Sequence, residues 1–231
     1  MANTYLTRTM GSATSRTKFT VSVWLKKSTI NSTDNDEKHF FNGFLSSNYR
    51  FMIYMTSSDQ LKIRNVDNNT ENVSYVSNAR YRDASSWYHV VVRIDSSQAG
   101  GNRIRAYVNG EQITSWASST EPNQGADFAL GTSSYTCNIG RYGGGAHYWN
   151  GGMSHYHYCD GQSYDASAFG STDSTTGEWK INTSPSFTLG GNGYTVLKDG
   201  NTITDQSSNS NDFTLGGGTL TKTEDCPSNV F

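Results

Sequence analysis

The stretch HYHYCDG, residues 155–161, sets His155, His157 and Cys159 at alternate positions. Side chains two apart in an extended strand share a face, so these three would line up on one side. Imidazole and thiolate are ligands for zinc and copper, which makes the stretch a candidate metal site. His147 could add a fourth ligand if the loop before the strand folds back. Three ligands fanned along one strand are widely spread, however. A tetrahedral zinc site draws its ligands from separate elements or a tight turn. The favoured reading is a sheet strand with partly buried polar groups, with no metal and no cofactor.

Other chemistry is sparse. Glycoside hydrolysis uses two carboxylates across the scissile bond. The strand carrying His155 and His157 has no acid until Asp160. The chain also lacks a Gly-x-Ser-x-Gly elbow, a P-loop and a His-Glu-x-x-His helix. No enzymatic activity is expected. The loop GRYGGGAHYWNGG, residues 140–152, is a different kind of candidate. Aromatic faces stack on sugar C–H groups, and glycine permits close approach. Tyr142, His147, Tyr148 and Trp149 are therefore candidate contacts for a glycan or a protein partner. The competing reading is that Tyr148 or Trp149 plugs the end of the fold. The three cysteines, Cys137, Cys159 and Cys226, are odd in number and form no Cys-x-x-Cys. They are read as free thiols rather than a disulfide framework.

The elements that must position these residues are strands. KFTVSVWLKKS, from Lys18, alternates strictly: Phe19, Val21, Val23 and Leu25 on one face, Thr20, Ser22, Trp24 and Lys26 on the other. YRFMIYM and QLKIRNV, joined by Ser57, Ser58 and Asp59, read as a hairpin. WYHVVVRID carries apolar residues on both parities, as a central strand does. His89 within it is expected to be structural, satisfied by a backbone or carboxylate partner. Ile104–Val108 should turn at Asn109-Gly110 into Glu111–Thr114. TCNIGRY and GMSHYHYCDG supply two more strands. Helical periodicity is confined to YDASAFG, where Asp165 could cap a short turn over Ala166–Phe169. After Gly170 the chain becomes turn-rich, and FTLGG occurs at 187–191 and again at 213–217, read as two short strands of similar role.

Composition agrees. Only 16% of the 231 residues are charged, against about 25% for an average globular protein. Ser, Thr, Asn and Gly replace the missing charge, and aromatics reach 13%, which excludes a disordered chain. The net charge of −2, with no basic run, gives no support for nucleic-acid binding. No apolar stretch of about 18 residues occurs, so no membrane insertion is expected. The first residues, MANTYLTRTMGSATS, lack the apolar core of a signal peptide, so synthesis and retention in a cytosol are expected.

Taken in order, TSRTKFTVSVWLKKS, ARYRDASSWYHVVVRIDSS, NRIRAYVNGEQITSW, NIGRY and YWNGGMSHYHYCDGQ resemble the laminin G-like domains of the concanavalin A-like jelly-roll superfamily. The following YDASAFGSTDSTTGEW and ITDQSSNSNDFT are similar to the version found in virion proteins of tailed, especially marine, bacteriophages. The resemblance runs from about Tyr5 to Phe231. It implies an all-β fold, a concanavalin A-like jelly-roll sandwich of two antiparallel sheets. Residues 1–170 would form the sandwich, and residues 171–231 a C-terminal extension that packs on it or completes it. Jelly-roll glucanases place their acids as Glu-x-Asp-x-Glu or Glu-x-Asp-x-x-Glu on one strand, and no such run exists here. In the family pattern the place of His155 usually carries Glu, while His157 falls where His is common. Some laminin G-like domains bind calcium. The oxygens at Asp95, Asp127 and Asp160 are not clustered in sequence, and calcium is not carried over.

The resemblance further implies a virion surface protein assembled in the host cytoplasm, either a capsid decoration or a head-fibre protein. Its partners would be other virion proteins of capsid or tail, with a host surface glycan and a homo-oligomer both compatible. The alternatives are a tail-fibre lectin that recognises host polysaccharide and, more remotely, a glycanase. The lack of heptads or a shaft favours the decoration protein. Residues 1–10 or the C-terminal tail would then dock by adding to a neighbour's sheet edge.

Overall fold

Every second residue from Phe19 to Leu25 is apolar, and the structure uses that parity to build its core. The structure, a computed structural model, describes residues 3–30, 36–130, 132–198, 200 and 203–228. Its strands are numbered β1 to β16 along the chain. One sheet has eight strands in the order β10 (Trp116–Thr120), β6 (Thr70–Arg80), β5 (Gln60–Asp67), β4 (Tyr49–Met55), β3 (Lys38–Ser46), β11 (Thr136–Ile139), β1 (Tyr5–Thr9) and β16 (Thr214–Gly217). The other has six: β15 (Tyr194–Val196), β12 (Gly151–Asp160), β2 (Lys18–Lys27), β7 (Trp87–Asp95), β8 (Ile104–Val108) and β9 (Glu111–Gln112). A hairpin of β13 (Gly170–Thr172) and β14 (Trp179–Ile181) stands apart. The two large sheets are antiparallel throughout and bury a shared core, which is the expected all-β sandwich.

The inner faces meet through aromatic rings. Phe19 of β2 lies edge-on to Phe51 of β4 at 5.1 Å and to Phe128 at 5.4 Å, and Tyr158 of β12 stacks on Phe41 of β3 at 5.9 Å. Val21, Val23 and Leu25 continue the row from β2, as their alternation requires. The β4–β5 hairpin and the β8–β9 turn form as expected. Asn109 (φ 50°) and Gly110 (φ 83°) take the two left-handed positions of a two-residue hairpin loop.

The outer face of the six-stranded sheet is not bare. Residues 163–189 fold over it and form a second apolar cluster in which Val91, Tyr107 and Cys159 meet Ala166 and Phe169, with Trp179 and Phe187 packed against them. Trp24, on the solvent parity of β2, is only 5% exposed and stacks on His89 of the neighbouring strand at 4.8 Å. The helical turn is a single 3-10 turn, Ala166–Ala168, and Asp165 does not cap it. Its Oδ1 instead accepts from the Tyr107 hydroxyl at 2.6 Å and from Arg93 Nη1 at 3.1 Å, because both side chains rise from the sheet beneath.

Two other expectations change. The FTLGG copies do not share a structure: residues 213–217 supply edge strand β16, while 187–191 are a loop whose Phe187 and Leu189 drop onto the second cluster. Residues 5–9 are not a free docking strand either. As β1 they are hydrogen-bonded on both sides, to β11 and β16. Residues 1–2 and 229–231, the outer ends of the two proposed docking segments, lie outside the described residues. No helix among the described residues is long and apolar enough to cross a membrane.

Candidate functional site

The alternation that would align His155, His157 and Cys159 is broken. Ser154 pairs with Trp24 and His157 with Ser22, so His155 and Tyr156 together face Val23 alone. This is a β-bulge, and His155 takes a left-handed φ of 46° within it. Tyr156 goes into the core, where its hydroxyl donates to the Phe40 carbonyl at 3.1 Å. His157 lies under the covering segment, 2.9 Å from the Thr195 hydroxyl and stacked on Phe169 at 5.7 Å. Cys159 sits in the second apolar cluster, and burial pushes its thiol pKa up. His155 Nδ1 is 2.8 Å from the Ser154 hydroxyl. Among the described residues, no group of three or more His, Cys, Asp and Glu side chains could hold a metal ion. The cysteines are free thiols, with Cys137 and Cys159 buried.

His89 is buried, but its partners are neither backbone nor carboxylate. The indole N–H of Trp179 can only donate, so His89 Nδ1 accepts it at 2.9 Å. The neutral ring then carries its proton on Nε2 and donates to the Ser22 hydroxyl at 2.9 Å. Trp24 stacks on the same ring at 4.8 Å.

The four residues chosen from the glycine-rich loop separate. Trp149 is 7% exposed and plugs one end of the core, edge-on to Phe40 at 5.7 Å, so it is not displayed on the loop. Tyr142 turns to the outer face of the eight-stranded sheet, against Met52, Tyr54 and Val66. His147 pairs there with Asp36, and His39 beside it lies 3.2 Å from Glu37, with burial holding its pKa below the usual value. Tyr148 lies 6.2 Å from the Tyr5 ring, and the Arg141 guanidinium lies 3.7 Å from the centroid of that ring.

The buried rim of Trp149 borders a cleft of about 680 Å³ at this end of the sandwich. Leu6, Ile139, Met153 and Leu197 line it beside Trp149, with Trp87 and Lys198 also contributing. Residues 219–226 complete the lining. A smaller cleft adjoins it at Trp87 and includes Lys26. Gly152, Lys26 and Trp87 form one cross-strand row over β12, β2 and β7. The two glycines of YWNGG are required here. Gly151 has a φ of 146°, and a Cβ on it would lie 1.9 Å from the Lys26 carbonyl. A Cβ on Gly152 would lie 2.9 Å from the Trp87 ring, so glycine leaves the indole its place. The Asp225 carboxylate closes the row, accepting from Lys26 Nζ at 2.6 Å and from Trp87 Nε1 at 2.9 Å. These two donors hold the Asp225 carboxyl below its usual pKa. Sequence reading missed Lys26, Trp87, Lys198 and Asp225 as site residues; only the apolar-and-Gly run YWNGG pointed to this corner.

No curated protein sequence matches the chain. Among solved structures, the fold is similar to that of a Bacteroides ovatus protein to which carbohydrate binding is ascribed. The TM-score is 0.59 and the identity 13%, with 97% of this chain and 59% of that one covered. A heptameric SAP-like pentraxin from Limulus polyphemus is more loosely similar, with a TM-score of 0.47 and 18% identity over 71% of this chain and 72% of that one. Identities this low speak to the fold alone. Residues 1–162 match the family model described as the concanavalin A-like lectin/glucanases superfamily, of the laminin G type, and the chain belongs to that superfamily.

Proposed function

We propose that this protein is a glycan-binding surface module of a bacteriophage virion, carried as a capsid decoration or head-fibre protein. The observation that supports the glycan reading most is the cleft at the sandwich end. It sets the Trp87 indole beside the buried rim of Trp149, with hydroxyl and amide groups from Thr4, Ser28 and Asn150. Aromatic faces beside a few polar groups suit a sugar ring, which is apolar on its faces and hydroxylated at its edges. The similarity to the Bacteroides ovatus protein supports the same reading at the level of the fold. The virion role is supported by the sequence resemblance, and the tail-fibre lectin remains its alternative.

A non-catalytic role fits the acids at the cleft. Glu224 and Asp225 are the acidic residues that line it, and they are neighbours on one segment rather than facing each other across it. On a glycan array the protein is expected to bind a defined set of polysaccharide fragments. Trp87→Ala is expected to weaken that binding by about tenfold, the equivalent of ~1.4 kcal/mol. An array without signal, or binding indifferent to Trp87→Ala, sinks the cleft as a glycan site. For the virion role, electron microscopy of particles with and without the gene should show the loss of a surface density from capsid or head fibre. Identical particles would refute it.

A further inference from the structure

The charge in the cleft is divided in a way that points to its ligand. The charged residues that the body of the sandwich contributes to the two adjoining clefts are all lysines: Lys26, Lys27 and Lys198. Lys27 is paired with the buried Asp59. The acids in the lining, Glu224 and Asp225, come only from the C-terminal segment, which also carries Lys222. That segment is anchored before the cleft, where Leu220 packs on the core and Thr219 exchanges hydrogen bonds with Thr4 Oγ1 at 3.1 and 3.2 Å. From Thr221 to Asp225 every residue is exposed. Across this span the charged tie is the Asp225 carboxylate on Lys26 and Trp87.

We infer that residues 221–226 are a displaceable strap, and that Asp225 stands in for the carboxylate of the ligand, a uronic-acid-bearing polysaccharide. This rests on the glycan reading above and names the sugar class and the regulation of that same cleft. The seat is built on rigid elements, since Lys26 and Trp87 are opposite one another on paired strands and Gly152 clears the space beside them. A lysine ammonium and an indole N–H directed at the two oxygens of one carboxylate bind an acid by charge-assisted hydrogen bonds. Met153 and the rim of Trp149 line the same cleft and offer apolar surface for the rest of the ring. The closing contact is weak by design of its exposure: the Asp225 side chain is 49% exposed and that of Lys26 25%. Ion pairs so placed contribute little to stability, so a ligand carboxylate can replace this one. The strap then lowers apparent affinity by the fraction of time it is open.

Calorimetric titration with oligogalacturonate and with its methyl ester tests this, because the ester keeps the rings and removes the charge. The full chain is compared with Asp225→Asn, Lys26→Met and Trp87→Phe, each checked for an unchanged circular dichroism spectrum and melting temperature. Asp225→Asn is expected to bind both the free acid and the ester about tenfold more tightly, as for a strap open about a tenth of the time. Lys26→Met is expected to remove the preference for acid over ester. Trp87→Phe should weaken the acid while keeping ring stacking. If acid and ester bind alike, or Asp225→Asn binds the acid no better, the strap and its acidic ligand are overturned while the glycan reading stands. If neither form binds any variant and the glycan array is also blank, both readings fall. Poly-glutamate is titrated alongside, and its binding to Asp225→Asn more tightly than oligogalacturonate would overturn the sugar in favour of an acidic peptide.

Discussion

Lowering the pH from 7 to 4.5 is expected to remove on the order of 5 kcal/mol of stability, about 1.4 kcal/mol per pKa unit for each of two histidines. His89 and His157 are buried, and burial followed by the nearby His155 pushes the pKa of each down to about 3. Unfolded histidine titrates near 6.5. Between these values the unfolded chain binds protons that the folded chain refuses, so stability falls as the pH falls. The contribution is fully present above about 6.5 and stops changing below about 3. The geometry gives the reason: neutral His89 already receives the Trp179 N–H on Nδ1, and a proton there would displace it. Urea unfolding at pH 7, 5.5 and 4.5 should show the decline. In His157→Phe, which keeps a ring against Phe169, the slope should be about half. Stability constant to within about 1 kcal/mol over this range would show that neither histidine is held neutral by the fold.

Lys27→Met is expected to cost about 3–5 kcal/mol, because removing one member of a buried ion pair leaves the other charge uncompensated. The Lys27 side chain is 2% exposed and that of Asp59 is 0% exposed. Arg82 Nε approaches the second Asp59 oxygen at 3.4 Å and supports the lower end of that range. Asp59 also sits at a φ of 64°, and asparagine tolerates this region, so Lys27→Met with Asp59→Asn should recover much of the loss. Chemical denaturation of the three variants decides it. A cost below about 1 kcal/mol for Lys27→Met alone would mean that Arg82 by itself neutralises Asp59. The consequence reaches the cleft, since Lys26 is the next residue on β2 and depends on this end of the strand being held.

The strands were legible because their signals are local. Alternation in residues 18–27 and the Asn109-Gly110 pair each specify a conformation through neighbours alone, and the structure keeps both. The covering of the six-stranded sheet was not legible. His89 read as a structural residue of a central strand, but nothing near it in sequence announces that Phe169 and Trp179 will pack above it. The bulge at His155 was hidden for the same kind of reason. It inserts one residue against β2, and only the pairing of Met153 with Leu25 and of Tyr158 with Val21 reveals the offset.

By itself, the sequence determined the all-β class, the hairpins, the superfamily and the aromatic-glycine corner at residues 148–152. Each of these depends on side-chain period, turn chemistry or motif order, which are properties of short stretches. Only the tertiary structure decided what that corner contains. Asp225 meets Trp87 across 138 residues and Lys26 across 199, and no periodicity carries information over such distances. Those contacts exist because β2, β7 and β12 pair in one register and the chain's last segment returns past Thr4 to the same end of the sandwich. Packing of the two sheets therefore selects which polar groups share the cleft.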